Sequence, residues 1–246
     1  MAPYTACAVI VAGGSGSRFG DPRGKQYVDL CGQPLLAWAL QAFDATPAVT
    51  QLVVVVPAGQ EAHTLRDVVE PCALATPLTC VAGGATRQAS VRAGLAVVPP
   101  ACELVAIHDG ARPLVTPSAI RAALEACARG ADCALLAAPV ADTLKRADDQ
   151  GFVAQTVDRA QLWAAQTPQV MRAELARALH ERAVADGLDV TDDAALAEAY
   201  GYRVQVVDPR GANFKVTVPD DLPLAAAVLQ ARAPRASAAP QATPSP

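Results

Sequence analysis

The sequence is poor in the features that mark several common protein classes. Aromatic residues make up 4% of the 246 residues, and there are only three histidines. A basic surplus is also lacking, because the formal net charge is −4, whereas nucleic-acid-binding domains usually carry an excess of lysine and arginine. We therefore expect no nucleic-acid partner, and any cationic site must be local.

Paired cysteines and long apolar runs are missing as well. The seven cysteines are scattered, odd in number and contain no C-x-x-C pair, so neither a zinc site nor a disulfide framework is indicated. No apolar run reaches the roughly 18 residues of a membrane span, and the N-terminus lacks the positive start of a signal peptide. These absences predict a cytoplasmic protein without a membrane partner, in which several cysteines serve as small core residues.

The scarcity of histidine argues against hydrolase chemistry. No G-x-S-x-G nucleophile elbow occurs in a strand-turn-helix context. We expect His63 and His180 on helix surfaces, and we expect His108 to orient the loop that follows it.

What the sequence does contain is a regular alternation of strand-like and helix-like segments. The predicted strands are 7–11, 51–57, 78–81, 104–107, 133–140 and 203–207, and the predicted helices are 35–43, one capped by Thr86, 172–186, one at 192–200 capped by Thr191, and 219–232. This order predicts a three-layer α/β/α Rossmann-like fold with a mostly parallel twisted sheet. We expect one domain over 1–232 and a disordered low-complexity tail over 233–246.

The segment around 139–162 departs from this alternation. Two short alternating runs flank the turn-like sequence DDQG at 148–151, which predicts a protruding β-hairpin arm. A lone hairpin is marginal in water, so we expect it to lean on a partner subunit in a homodimer. Lys145 and Arg146 are expected to be solvated there. The alternative is a surface flap without a role.

A glycine-rich loop follows the first strand, in the sequence CAVIVAGGSGSRFGDPRGKQY at 7–27. Glycine lets backbone N–H groups approach an anion, and Arg18 and Lys25 add two positive charges; a tight turn with two solvated cations is the alternative. The glycine spacing does not match a P-loop, and Phe19 stands where a dinucleotide fingerprint has its third glycine. A nicotinamide enzyme is therefore disfavoured.

Three polar loops, 13–25, 83–90 and 108–112, each follow a predicted strand directly. The carboxyl ends of parallel strands share one edge of a sheet, so we expect these loops to converge on one cleft. The cations in or near loops that would serve such a cleft include Arg18, Lys25, Arg112, Arg159 and Lys215. In an acidic chain they indicate ligands with several negative charges, for which positioning and positive charge matter more than a base.

Nine motifs stand in the order found in 2-C-methyl-D-erythritol 4-phosphate cytidylyltransferases, and the resemblance covers about residues 6–230. The motifs are AGGSGSR at 12–18, KQY at 25–27, GG at 83–84 with Arg87 and SV at 90–91, HDGARP at 108–113, APV at 138–140 with DT at 142–143, TVDR at 156–159, TPQ at 167–169, TDD at 191–193, and Asn213 with KVT at 215–217. Such an ordered series is far more specific than any single motif.

The resemblance implies an enzyme that joins CTP and methylerythritol phosphate into CDP-methylerythritol and diphosphate, with Mg²⁺, in the non-mevalonate isoprenoid pathway. The implied catalytic residues are Arg18, Lys25, Arg159 and Lys215. The implied nucleotide-binding residues are Ala12, Gly13, Gly14, Gly84 and Ser90. The implied sugar-phosphate site comprises Asp109, Arg112, Thr143, Arg159, Thr191 and Lys215, with Thr143 and Arg159 reaching across to the partner subunit. The residues that hold the metal stay open.

Three residues depart from the family pattern. Gly24 precedes Lys25 where proline is usual, which we expect to loosen the loop; Ala85 replaces an acidic residue that some members have near the cytidine; and Phe214 replaces a common isoleucine. The alternatives are the sister activity on ribitol 5-phosphate, a nucleotide-binding regulator without turnover, and a nicotinamide dehydrogenase.

Overall fold

The computed structural model describes residues 4–14, 19 and 24–233. Arg18 and residues 234–246 of the predicted tail lie outside the described residues. The strands are β1 (Ala6–Val11), β2 (Asp29–Leu30), β3 (Gln33–Pro34), β4 (Val49–Val56), β5 (Leu78–Ala82), β6 (Leu104–Asp109), β7 (Cys133–Pro139), β8 (Lys145–Ala147), β9 (Val153–Thr156), β10 (Trp163–Arg172) and β11 (Val204–Val207).

Seven of these strands form one central sheet in the order β11-β7-β10-β6-β1-β4-β5. All neighbouring strands are parallel except β10, which runs antiparallel to both β6 and β7. The prediction of a mostly parallel α/β sheet is therefore confirmed. The pairs β2-β3 and β8-β9 form two separate hairpins.

Helices cover both faces of the sheet, because side chains of a strand alternate between its two sides. Ala8 and Ile10 of β1 belong to one core cluster, whereas Cys7 and Val9 belong to the other. The helices are α1 (Leu35–Asp44), α2 (Glu61–Thr64), α3 (Arg87–Ala96), α4 (Pro117–Ala128), α5 (Ala173–Ala185), α6 (Asp193–Ala199) and α7 (Asp221–Arg232). The first cluster includes side chains of α1 and α4, and the second those of α3, α5 and α6.

The cysteines behave mainly as core residues, as expected. Cys7, Cys102, Cys127 and Cys133 are buried and free, whereas Cys31 is exposed. Burial raises the pKa of Cys7 to about 12, so this thiol has little thiolate character.

One helix cap is as predicted and one is not. Thr86 caps α3, since its hydroxyl accepts a hydrogen bond from the Ala89 N–H at 3.0 Å. The prediction that Thr191 caps α6 is wrong: Asp192 accepts from the Ala195 N–H at 2.9 Å. Threonine and aspartate are both good caps, so the sequence alone did not fix the start of this helix.

Strand β10 has no counterpart among the predicted strands. Its register against β7 shifts between Ala165 and Gln169, and Pro168 interrupts the run of side chains that would mark a strand. Irregularities of this kind are common beside functional sites. Here the shift brings Thr167 against the end of β6, where its hydroxyl accepts a hydrogen bond from the Asp109 N–H at 3.0 Å.

The predicted hairpin is present as β8 and β9. Its turn is closed by Asp148, whose side chain accepts hydrogen bonds from the N–H groups of Gln150 and Phe152. Both strands are exposed, and Phe152 keeps 69% of its surface accessible. That a partner subunit covers this arm stays a prediction.

Close packing of α3 on the sheet yields a first test. A Cβ atom at Gly94 would lie 2.5 Å from Cγ1 of Val9 and 2.9 Å from Cγ2 of Val55. We expect Gly94→Ala to lower the free energy of unfolding by about 1–2 kcal/mol, because overpacking outweighs the roughly 1 kcal/mol gained in helix propensity. Denaturant unfolding measures this.

The control for that measurement is Arg92→Ala, an exposed position on the same helix, which should change stability by less than about 0.5 kcal/mol. A Gly94→Ala protein as stable as the parent would contradict the proposed contact.

Candidate active site

Two cavities adjoin at the carboxyl ends of β1, β5 and β6. The first, here called the glycine-loop cavity, has a volume of about 420 Å³. The second, here called the Thr191 cavity, has a volume of about 200 Å³. Arg87, Asp109 and Lys215 line both cavities and so form the wall between them.

Most of the sequence-predicted site residues converge on these cavities. The glycine-loop cavity is lined by Ala12, Gly13, Gly14, Lys25, Gly84, Ser90, Asp109 and Lys215. The Thr191 cavity is lined by Asp109, Arg112, Thr191 and Lys215. A larger cavity of about 820 Å³ between α4 and β11 contains none of them. For the described residues of the three loops, the expected convergence on one cleft is observed.

Two predicted residues are not brought together with the others, and a third cannot be placed among them. Arg18 lies outside the described residues. Thr143 and Arg159 are exposed at the base of the hairpin arm and line neither cavity of their own chain.

The carboxylate of Asp109 is the electrostatic centre of the dividing wall. Its Oδ1 lies 3.3 Å from Nε of Arg87, and its Oδ2 lies 3.0 Å from Nζ of Lys215 and 3.6 Å from Nε of Arg112. Burial alone would raise the pKa of Asp109, but Lys215 and then Arg87 hold it well below its usual range. Asp109 is therefore ionised at neutral pH, and the cations around it outnumber it.

Arg87 connects this wall to a second buried carboxylate. Its NH2 group lies 2.8 Å from Oδ2 of Asp193, and Oδ1 of Asp193 lies 3.1 Å from Nε2 of His180. Burial works in the opposite direction, but the charges of Asp193 and Asp109 raise the pKa of Arg87. His180 is only 2% exposed, so the prediction that it lies on a helix surface is wrong.

Sequence reasoning gave no site role to Arg87, Asp193 or His180, although the first two stood within quoted motifs. The cap at Thr86 was a usable signal for Arg87, because it places this arginine in the first turn of α3 at the cleft. The pairing of Asp193 with His180 had no such signal, since it depends on how α5 and α6 pack.

His108 orients its loop, as expected from the sequence. The geometry fits a hydrogen bond from the Thr167 hydroxyl to Nδ1 at 3.0 Å and one from Nε2 to the Arg112 carbonyl at 3.2 Å. Burial lowers the pKa of His108 to about 4. The imidazole is therefore neutral at physiological pH and fixes the turn that carries Asp109 and Arg112.

Lys25 approaches the cleft from the glycine loop, and its Nζ donates to the Val216 carbonyl at 3.1 Å. Gly24 before it has φ 97° and ψ 143°, which proline cannot adopt because its ring fixes φ near −65°. A proline at this position would therefore require a different backbone conformation. Ala85 lines the glycine-loop cavity, and Phe214 packs against the core cluster of α7.

The Thr191 cavity suits a polar ligand. Arg112 and Gln166 both line it; Nε of Arg112 faces Oδ2 of Asp109 at 3.6 Å, and the buried Oε1 of Gln166 has no hydrogen-bond partner. Buried polar atoms without partners are costly. NH1 of Arg112 donates a hydrogen bond to the Asn213 carbonyl at 3.0 Å. This bond fixes the orientation of the Arg112 guanidinium beside the cavity.

The described residues contain no group of three or more histidine, cysteine, aspartate or glutamate side chains that could hold a metal ion. Across the same ranges, no helix has both the length and the apolar character needed to cross a membrane.

The chain is similar to one known family along nearly its whole length. The family model described as 2-C-methyl-D-erythritol 4-phosphate cytidylyltransferase matches residues 6–231. A protein of that name from Synechococcus sp. is 43% identical over 227 residues, which is 91% of this chain and 96% of the relative. One from Thermosynechococcus vestitus is 45% identical over 225 residues, or 91% of this chain and 95% of the relative.

Solved structures agree with these sequence matches. The crystal structure of 4-diphosphocytidyl-2C-methyl-D-erythritol synthase from Anaerococcus prevotii superposes with a TM-score of 0.80 at 28% identity, covering 92% of this chain and 99% of that one. The Thermus thermophilus 2-C-methyl-D-erythritol 4-phosphate cytidylyltransferase gives 0.73 at 33% identity, covering 90% and 98%.

The buried His108 predicts a specific pH dependence of stability. An unfolded histidine binds a proton near pH 6.5, whereas the folded one does so near pH 4, so between these values the unfolded state holds more protons. Stability must therefore fall as pH drops from 6.5 to 4. In His108→Gln this fall should be shallower by up to about 1.4 kcal/mol per pH unit.

Denaturant unfolding at pH steps between 4.5 and 8.5 measures the two profiles. Above pH 7.5 the profiles should run parallel, because His108 is neutral in both states there. Profiles that are parallel over the whole range would contradict the assigned state of His108.

Proposed function

Because this chain belongs to the 2-C-methyl-D-erythritol 4-phosphate cytidylyltransferase family, we propose that it transfers the cytidylyl group of CTP to 2-C-methyl-D-erythritol 4-phosphate. The products are CDP-methylerythritol and diphosphate, in the non-mevalonate isoprenoid pathway. The observation that carries the proposal is the pair of adjoining cavities with one cationic wall, since two phosphorylated substrates must meet without mutual repulsion.

The glycine-loop cavity is assigned to CTP. Ala12, Gly13, Gly14, Gly84 and Ser90 provide its nucleotide-binding surface. A Cβ atom at Gly14 would meet open space, so this glycine lets the ligand approach the backbone. Lys25 faces this cavity, and with Arg18 it supplies positive charge to the triphosphate. These are the roles that the resemblance implies for these positions.

The Thr191 cavity is assigned to the polyol phosphate. Arg112 and Lys215 supply charge to its phosphate, and the ionised carboxylate of Asp109 accepts hydrogen bonds from its hydroxyl groups. Thr191 provides a further hydroxyl at the rim. The polar lining of this cavity, which also includes Gln166 and Gln169, supports a polar occupant.

The reaction is an in-line substitution at the α-phosphorus of CTP. A phosphate oxygen of the polyol phosphate forms the new P–O bond, while the bond from the α-phosphorus to the oxygen bridging it to the β-phosphate breaks and diphosphate leaves. The attacking phosphate is largely dianionic at neutral pH, so no general base is needed. Lys215 lies between the two cavities, where it stabilises the charge that builds up at the α-phosphate.

Mg²⁺ fits this site as an ion carried by the triphosphate. Magnesium keeps several waters and takes phosphate oxygens together with few carboxylates. Asp109, the carboxylate shared by both cavities, already has its oxygens engaged by Arg87 and Lys215. When bound, the ion neutralises part of the charge of the triphosphate.

The hairpin arm is assigned to a homodimer. Thr143 and Arg159 are exposed and line neither cavity of their own chain, which fits side chains that complete the site of a second copy. The exposed apolar residues Phe152 and Val153 provide contact area for that copy. The cytoplasmic setting expected from the sequence remains part of this proposal.

Lys215→Gln tests the chemistry. Without the charge between the cavities, kcat/KM for diphosphate release should fall by about 10²–10³-fold. Rates with CTP, ATP, GTP and UTP, each with methylerythritol phosphate or ribitol 5-phosphate, measure both the activity and its selectivity. We expect CTP with methylerythritol phosphate to be preferred.

The control is Arg129→Gln, an exposed position that lines the larger cavity between α4 and β11 and neither cavity of the proposed site, which should leave the rate unchanged. Absence of diphosphate release with every nucleotide would overturn the enzyme assignment. A higher kcat/KM for ribitol 5-phosphate would assign the sister activity instead.

Mixing two inactive variants tests the shared site. If Arg159 serves the partner's site, Arg159→Ala and Lys215→Gln subunits form heterodimers in which one site carries both lesions and the other carries none. Random exchange should restore about a quarter of the parental activity. A mixture that stays as inactive as its components would contradict the crossing arm.

A further inference from the structure

A line of hydrogen-bonded and ion-paired side chains runs from behind the Thr191 cavity to its wall. It begins at His180 on α5, passes through Asp193 at the start of α6 and Arg87 at the start of α3, and ends at Asp109. Asp193 is 1% exposed and lines neither of the two cavities. It therefore has no route to direct substrate contact.

We propose that Asp193, backed by His180, is a positioning residue that acts on the polyol-phosphate site through Arg87 and Asp109. This inference rests on the assignment of the Thr191 cavity to the polyol phosphate. Asp193 fixes which atoms of Arg87 face Asp109, and thereby fixes how Asp109 is presented to the substrate.

The division of contacts on Arg87 carries the argument. Its NH2 group is taken by Asp193 at 2.8 Å, which leaves Nε to face Oδ1 of Asp109 at 3.3 Å. Oδ2 of Asp109 stays with Lys215 at 3.0 Å. An arginine without Asp193 would be free to form a two-pronged pair with both oxygens of Asp109. That pairing would draw the carboxylate away from Lys215 and from the cavity.

His180 determines which oxygen of Asp193 contacts Arg87. By donating to Oδ1 of Asp193 at 3.1 Å, it leaves Oδ2 as the oxygen available to Arg87. The hydrogen bond from His180 and the charge of Arg87 lower the pKa of Asp193 against the effect of burial, so the carboxylate stays charged. Because each of its oxygens has a fixed partner, the buried carboxylate of Asp193 is held in one orientation.

The residues before and after Asp193 in the chain also hold it in place, because both are hydrogen-bonded to Gln169 of β10. Asp192 caps α6, and its Oδ2 accepts from Nε2 of Gln169 at 3.0 Å. Oε1 of Gln169 accepts from the Ala194 N–H at 2.8 Å. The start of α6 is thus tied to β10, and Asp193 cannot shift toward Arg87 without breaking these bonds.

Asp193→Asn is the primary test. Asparagine has the same shape and still offers an oxygen to His180, but it removes the charge that holds Arg87. We expect kcat/KM for methylerythritol phosphate to fall by at least about tenfold, mainly through KM, while KM for CTP changes by less than about twofold. A parental KM for methylerythritol phosphate would overturn the proposal.

Two controls separate positioning from a merely structural role. Ala197→Gly lies fully buried in α6 and should lower the melting temperature without changing either KM. Asp186→Asn removes exposed contacts to Tyr200 and Arg182 after α5 and should change neither stability nor kinetics much. If Ala197→Gly raises KM as Asp193→Asn does, the effect belongs to helix stability and the proposal fails.

A double-mutant cycle tests the route through Arg87. In an Arg87→Gln background, Asp193→Asn should cause no further loss, because the group it acts on is absent. Losses that multiply in the double variant would overturn the route.

His180 gives a second, independent variant. His180→Gln keeps a donor and should retain most of the activity, whereas His180→Leu should reproduce the rise in KM even if Asp193→Asn does not fold. Equal KM values for the two His180 variants would overturn the role of the hydrogen bond. A parent chain without diphosphate release refutes the proposed function, whereas an active parent with an unaffected Asp193→Asn refutes only this inference.

Discussion

The structure depends on one carboxylate surrounded by cations. Asp109 ends a strand that is buried along its whole length, and its charge is retained there because Lys215, Arg87 and Arg112 face it. Removing Asp109 would leave three cations without their shared partner, which is more costly than losing a surface pair. Ligand recognition in this cleft is therefore inseparable from the electrostatic balance of the fold.

The sheet explains how residues so far apart in sequence reach this cluster. β6 delivers Asp109, the start of α3 delivers Arg87, and the segment after β11 delivers Lys215. The antiparallel β10 inserts between β6 and β7 and supplies Thr167 to the same point. Backbone bonds complete the arrangement, since the Val216 N–H donates to the Ala111 carbonyl at 2.8 Å.

The sequence predicted what repeats locally and missed what depends on packing. The valine-rich run of β4 identified a buried strand, and the cap at Thr86 identified the start of α3 at the cleft. Both signals involve residues that are neighbours in the chain. β10 escaped prediction because Pro168 and the register shift hide its alternation. The exposure of His180 was mispredicted because its burial depends on how α5 packs against α6, where its ring contacts Asp193. The motif series identified the chemistry, whereas the distribution of charge between the cavities required coordinates.

The shared wall has a thermodynamic consequence for how the two cavities fill. Arg87, Asp109 and Lys215 border both of them, so an anion entering one cavity changes the potential and the side-chain freedom that the other presents. Linkage requires this influence to be reciprocal. If the first occupant changes the affinity for the second by some factor, the second changes the affinity for the first by the same factor. The two occupants are therefore energetically coupled through three side chains.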